Sequence, residues 1–163
     1  MTANDILGRL GDLHLLAKSV PLSPHERADY DQAKEVLARA ICSAQKTPVP
    51  HGHLARTAFR VATLWRMEIS ALRAVHQTMT MDVSLAGFTA LLSVPLPNGT
   101  EASCRLILKE GTIAGLAVVS GSQRTSTSSS QRVSFDFTEM STSDALRLES
   151  ALFDVVLANA RRR

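Results

Sequence analysis

Asp82-Val83-Ser84-Leu85-Ala86-Gly87 is the stretch on which the reading of the fold turns. It closes one β-prone run carrying Val75, Thr78, Thr80 and Met81 and opens another, Gly87–Leu92. It therefore reads as a tight connection in which an Asx or Ser side chain folds onto the backbone and a glycine with positive φ closes the turn. Working outward, Val61, Thr63 and Trp65 alternate with Ala62, Leu64 and Arg66 as a first strand, and Ala102–Leu108, Thr112–Val119 and Arg132–Phe137 supply three more. Leu96-Pro97-Asn98-Gly99 and Lys109-Glu110-Gly111 are turn signals between them. Six short strands with brief turns predict a small antiparallel barrel or sandwich.

Upstream, the periodicity is helical. Ile6, Leu7, Leu10, Leu13, Leu16, Ala17 and Val20 recur at spacings of three and four, which predicts an amphipathic helix over residues 4–18. A second helix opens at Ser23-Pro24-His25-Glu26, where Ser23 caps, Pro24 suits the first helical position and Glu26 completes a capping box. Its stripe of Ala33, Val36, Leu37, Ala40, Ile41 and Ala44 carries it to Gln45. The pair reads as an antiparallel hairpin. Thr47-Pro48-Val49-Pro50-His51-Gly52-His53 excludes continued helix, so residues 1–46 form a helical module, 47–55 a linker, and 56–163 the β-rich domain.

Downstream, Ser120–Gln131 is polar and serine-rich and reads as a long mobile loop, a solvated connector rather than a phosphorylation element. Ser141-Thr142-Ser143-Asp144 caps a final helix. Its residues Leu146, Leu148, Leu152, Phe153, Val155, Val156 and Leu157 cover more than one stripe, so it is expected to be buried on two sides. One side suits the β-domain; the other needs the N-terminal hairpin or a second copy of the chain, a homo-oligomer built through the N- and C-terminal helices. The fold class is α+β.

The chain has 163 residues, 45% of them apolar and 20% charged, as in a soluble globular protein. Apolar runs span only a few residues, so no membrane-spanning helix is expected. Met1-Thr2-Ala3-Asn4-Asp5 lacks the basic start of an export signal, which points to the cytoplasm and to reduced Cys42 and Cys104. The net charge of +3 does not mark a nucleic-acid binder: residues 1–46 are balanced, and Arg161, Arg162 and Arg163 account for the excess.

No catalytic constellation is present. There is no nucleophile elbow and no glycine-rich phosphate loop after a strand, so the chain does not read as an enzyme. His51 and His53 could chelate a metal as a pair, but a closed zinc site needs about four ligands, and no cluster supplies the rest. Neither metal nor cofactor is expected.

Two short motifs remain. Arg56-Thr57-Ala58-Phe59-Arg60 places two arginines four apart where the linker enters the first strand, and the Asp82-x-Ser84-x-x-Gly87 turn follows 22 positions after Arg60. In this order and spacing the sequence resembles the PilZ domain, whose signature is Arg-x-x-x-Arg followed some twenty residues later by Asp/Asn-x-Ser-x-x-Gly. The resemblance runs from Arg56 to Leu157 and takes in Phe59, the Leu96–Thr100 turn and Arg132-Val133-Ser134-Phe135-Asp136-Phe137 before the last helix; residues 1–46 fall outside it.

The resemblance implies a six-stranded β-barrel that receives the bacterial second messenger cyclic di-GMP. The residue chemistry suits that ligand. Arginine's planar fork matches phosphate oxygens and the guanine O6/N7 edge. Arg56 and Arg60 would form a mobile arm that closes over the ligand. Asp82 would accept from guanine N1–H and the exocyclic amine, Ser84 would bond near the base edge, and Gly87 would let the backbone turn beneath it. The resemblance further implies a partner in motility, polarity or exopolysaccharide machinery. The alternative is a PilZ-like adaptor that works by protein contact without nucleotide. Two departures stand out: Leu54-Ala55 occupies the place where many ligand-binding members carry a further basic residue, and Ser134 stands where glycine is common.

Overall fold

The structure, a computed structural model, describes residues 2–126 and 129–162. They form two compact units, residues 2–59 with 153–162 and the described residues of 60–152, whereas the sequence reading draws its line at the 47–55 linker.

In the first unit, α1 (Ala3–Ser19) and α2 (Pro24–Gln45) pack antiparallel, with Arg9 bonded to Asp29. Both helices start on capping boxes, Thr2 with Asp5 and Ser23 with Glu26, and Pro24 opens α2 as its sequence requires. Lys46, at φ 54°, ends α2 in the left-handed region. The buried centre is polar as well as apolar. His14 is buried, with Nδ1 2.6 Å from the Tyr30 hydroxyl and Nε2 2.8 Å from Asp154 Oδ1. Asp154 lies on α3 (Thr142–Arg161), whose C-terminal half belongs to this unit, and Phe153 meets Phe59 at 5.3 Å between ring centroids.

The second unit is the barrel. Its strands are β1 (Val61–Ala62), β2 (Arg66–Ala71), β3 (Ala74–Val83), β4 (Gly87–Leu92), β5 (Glu101–Leu108), β6 (Gly111–Arg124) and β7 (Gln131–Glu139). All pair antiparallel in the order β3-β2-β5-β6-β7-β4, and β4 returns to β3, which closes a six-stranded ring. β1 lies beside β3 in line with β2, so the two are one strand interrupted at residues 63–65. Thr80 bridges the interruption: its hydroxyl accepts from Trp65 N at 2.9 Å and donates to Thr63 O at 2.6 Å. Alternation fills the interior with Met67, Ile69, Ala90, Leu106, Ile113 and Val133. Phe88 stacks on Phe135 at 4.7 Å. The N-terminal half of α3 is fastened at Asp144, which accepts from Ala114 N at 3.2 Å, and at Arg147, which donates to Thr112 O at 3.0 Å.

Two expectations differ from the structure. The first strand continues six residues past Trp65, through Arg66–Ala71, because Met67, Ile69 and Ala71 keep the inward phase of Val61. The serine-rich segment is not a loop from Ser120 to Gln131. β6 runs to Arg124, pairing Gly121, Ser122, Gln123 and Arg124 with Ser134, Val133, Arg132 and Gln131. Backbone pairing needs no apolar side chain, so the hairpin extends past the core it covers. Thr127 and Ser128, within the expected loop, lie outside the described residues. No helix among the described residues is long and apolar enough to cross a membrane.

Candidate functional site

The site begins with a bulge. Thr80 pairs with Ala90 and Asp82 with Thr89, so two steps on β3 match one on β4 and Met81 is the extra residue. Strict alternation from buried Thr80 would aim Asp82 into the barrel. The extra residue restores Val83 to the interior and turns Asp82 outward, the usual work of a β-bulge.

Ser84–Ala86 then reverses the chain. Ser84 N donates to Gly87 O at 2.8 Å, and the buried Ser84 hydroxyl accepts from Ala86 N at 3.1 Å and Gly87 N at 3.2 Å. The hydroxyl is spent on the turn rather than offered to a base edge. Gly87 is required for a reason other than the expected positive φ, which it does not adopt. A Cβ there would stand 2.0 Å from the Phe135 carbonyl oxygen, so only glycine lets β4 come this close to β7.

Asp82 is held from two sides. Arg60 Nη1 donates to Asp82 Oδ1 and lies 3.4 Å from Thr89 Oγ1, and Arg132 Nη2 donates to Asp82 Oδ2 at 3.2 Å. Register explains the convergence. Asp82 pairs with Thr89, and Thr89 with Ser134, so three outward positions make a row across β3, β4 and β7, and Arg132 sits two residues from Ser134 on the same face. The Asp82 side chain is 17% exposed, against 38% for Arg60 and 46% for Arg132. The cluster is a carboxylate under two half-exposed guanidinium groups, with a local charge of one positive unit. It can exchange its internal ion pairs for a ligand that offers both N–H donors and anionic or carbonyl oxygens.

Arg56 is placed in the first unit. It belongs to a 3₁₀ turn, Ala55–Thr57, whose first N–H groups are capped by α2: Glu35 accepts from Ala55 N at 2.9 Å and from Arg56 N at 3.3 Å. Arg56 Nη1 donates to Asp31 Oδ1 at 2.9 Å, and Lys34 Nζ lies 3.0 Å from the same oxygen. Partial burial works to raise the Asp31 pKa, but hydrogen bonds from Lys34 and Arg56 outweigh it and hold the carboxyl below its ordinary 3.8. Orphan amides at the start of the turn thus find a carboxylate within reach.

Sequence reasoning singled out Arg60, Asp82, Ser84 and Gly87, which the structure brings together in the barrel unit. It missed Thr89 and Arg132, whose signal was their outward phase on strands paired to the turn, and Asp31 and Glu35, four apart on one face of α2. His51 and His53 are exposed, and among the described residues no group of three or more metal-ligating side chains converges.

No family model matches the chain, and no curated protein matches it by sequence. Solved structures do. MrkH of K. pneumonia in its apo state aligns with a TM-score of 0.58 at 20% identity, over 64% of this chain and 53% of MrkH. The inhibitor of motility MotI/DgrA of Bacillus subtilis gives 0.55 at 16% identity, over 64% and 50%. The PilZ domain of YcgR from Escherichia coli, solved with cyclic di-GMP, gives 0.54 at 19% identity, over 64% of this chain and 92% of that domain. The matched part thus corresponds to about half of MrkH and of MotI and to nearly all of the isolated domain. Six closed antiparallel strands with a helix after the last make the fold of this chain PilZ-like.

Proposed function

We propose that the chain is a cytoplasmic receptor for cyclic di-GMP that relays binding to a protein of the motility, polarity or exopolysaccharide machinery. The observation that carries this reading is the outward Asp82 carboxylate bracketed by Arg60 and Arg132. A guanine presents N1–H and an exocyclic amine to a carboxylate and O6 and N7 to an arginine, and the messenger's two phosphates add anionic partners. Asp82 takes the guanine donors, and Arg60 exchanges Asp82 for the ligand. Arg56, four positions before Arg60, leaves Asp31 to do the same. Ser84 and Gly87 act by shaping the turn that presents Asp82. Support for the ligand also comes from the YcgR domain, whose fold this chain shares. Leu15, Leu16 and Val20, exposed along and after α1, favour the helices as the surface that meets a partner or a second copy.

Calorimetric titration of the purified chain with cyclic di-GMP tests the reading. Wild type binds, and Arg60→Ala and Asp82→Ala each weaken binding at least about tenfold. Absence of heat with wild type at high micromolar ligand overturns the receptor reading in favour of a nucleotide-free adaptor. Binding that survives both substitutions overturns the site.

A further inference from the structure

We infer that Arg132 is a guanine-reading residue of this site, a third arginine that contacts the Hoogsteen edge of the base whose Watson–Crick edge Asp82 takes. The inference rests on the receptor reading above and adds a residue that neither sequence motif contains. Val133 and Phe135 are buried on β7, so alternation turns Arg132 outward, onto the face that holds Asp82. Its Nη2 reaches Asp82 Oδ2 at 3.2 Å, while Arg60 occupies Oδ1. Each carboxylate oxygen therefore serves a different arginine.

A guanine seated on Asp82 uses both oxygens, one for N1–H and one for the exocyclic amine, and so displaces both arginines together. The displaced Arg132 is anchored at its root by the β4–β7 ladder, where it pairs with Leu91, and its guanidinium stays beside the base. On guanine, O6 adjoins N1 and is followed by N7. A fork of N–H donors next to the carboxylate thus meets the acceptor pair next to the donors that the carboxylate takes. Asp82 and Arg132 together match four polar groups of guanine, three of which (N1–H, the exocyclic amine and O6) distinguish it from adenine. Arg132 also supplies, from another strand, a positive charge near the ligand in a chain that has Ala55 before its first motif arginine.

The test is a double-mutant cycle by calorimetry on the full chain, using wild type and Arg132→Ala against cyclic di-GMP and against its analogue with each guanine N7 replaced by carbon. Arg132→Ala weakens cyclic di-GMP binding about tenfold or more. Loss of N7 weakens wild type severalfold and leaves Arg132→Ala unchanged. Binding by Arg132→Ala within twofold of wild type overturns the inference and leaves the receptor reading intact. A loss in Arg132→Ala with a wild type indifferent to N7 makes Arg132 a phosphate anchor and overturns the guanine assignment. No binding of cyclic di-GMP by wild type overturns the receptor reading, and this inference with it.

Discussion

The Arg56 guanidinium meets the Asp31 carboxylate at 2.9 Å, so the first arginine of the Arg-x-x-x-Arg pair is already engaged by α2. A ligand that recruits Arg56 has to compete with that carboxylate. Asp31→Asn removes the competitor, and cyclic di-GMP binds about two- to fivefold tighter, the span expected for a partly exposed ion pair. Calorimetry comparing the variant with wild type checks this. Equal or weaker binding contradicts it.

The same pair sets a pH dependence. The folded-state pKa of Asp31 is depressed, so the stability it contributes is fully present above the unfolded value, near 3.8, and is lost as pH falls through the lower folded value. Urea unfolding of wild type and Asp31→Asn from neutral pH downward should show a constant gap that narrows only below about pH 3.8. A gap that closes near pH 6 points to some other group.

Gly87→Ala forces a Cβ to within 2.0 Å of the Phe135 carbonyl oxygen, and the β4–β7 ladder has to yield. A cost of about 1–3 kcal/mol follows from overpacking of this kind. Gly121→Ala is the control, because nothing lies within 4 Å of its added Cβ, and its stability stays within about 0.5 kcal/mol of wild type. Denaturant midpoints of the two variants decide; equal values contradict the close approach.

Burial pushes the Cys104 thiol up to about 12, and burial and the Glu35 charge also raise Cys42. Since the thiolate is the reactive form, a chromogenic disulfide reagent at pH 8 modifies native Cys104 at least about a hundredfold more slowly than the unfolded chain. Rapid native labelling of Cys104, read by peptide mapping, contradicts its placement in the barrel.

His14 joins Tyr30 and Asp154 within the helical unit. His14→Phe leaves the largely buried Tyr30 hydroxyl without that partner and costs about 1–3 kcal/mol in chemical denaturation. A change below about 0.5 kcal/mol shows that the network does not stabilise the fold.

Much of this molecule was legible in its sequence, for reasons specific to particular residues. Ser23, Pro24 and Glu26 announce the start of α2 because capping chemistry is local. The alternation of Ala102–Leu108 announces β5 because the barrel buries one face. Three features depended on a partner strand or helix and had no local signal. The Met81 bulge exists only relative to β4, and without it Asp82 would be assigned the wrong face. The pairing of Gly121–Arg124 is set by β7, and serine-rich composition suggested the opposite. The contacts of the Arg56 turn are made by Asp31 and Glu35, about twenty residues upstream. The need for glycine at position 87 was right, but its cause was a neighbouring carbonyl rather than φ.

Amide chemical shifts report at residue level where cyclic di-GMP binds, and so whether it binds at the outward Asp82 turn. On titrating ¹⁵N-labelled protein with cyclic di-GMP, saturable shifts are expected to cluster at Arg60, Asp82–Gly87, Thr89 and Arg132, all lost in Asp82→Ala. An unchanged spectrum at millimolar ligand, or shifts confined to α1 and α2, would contradict it.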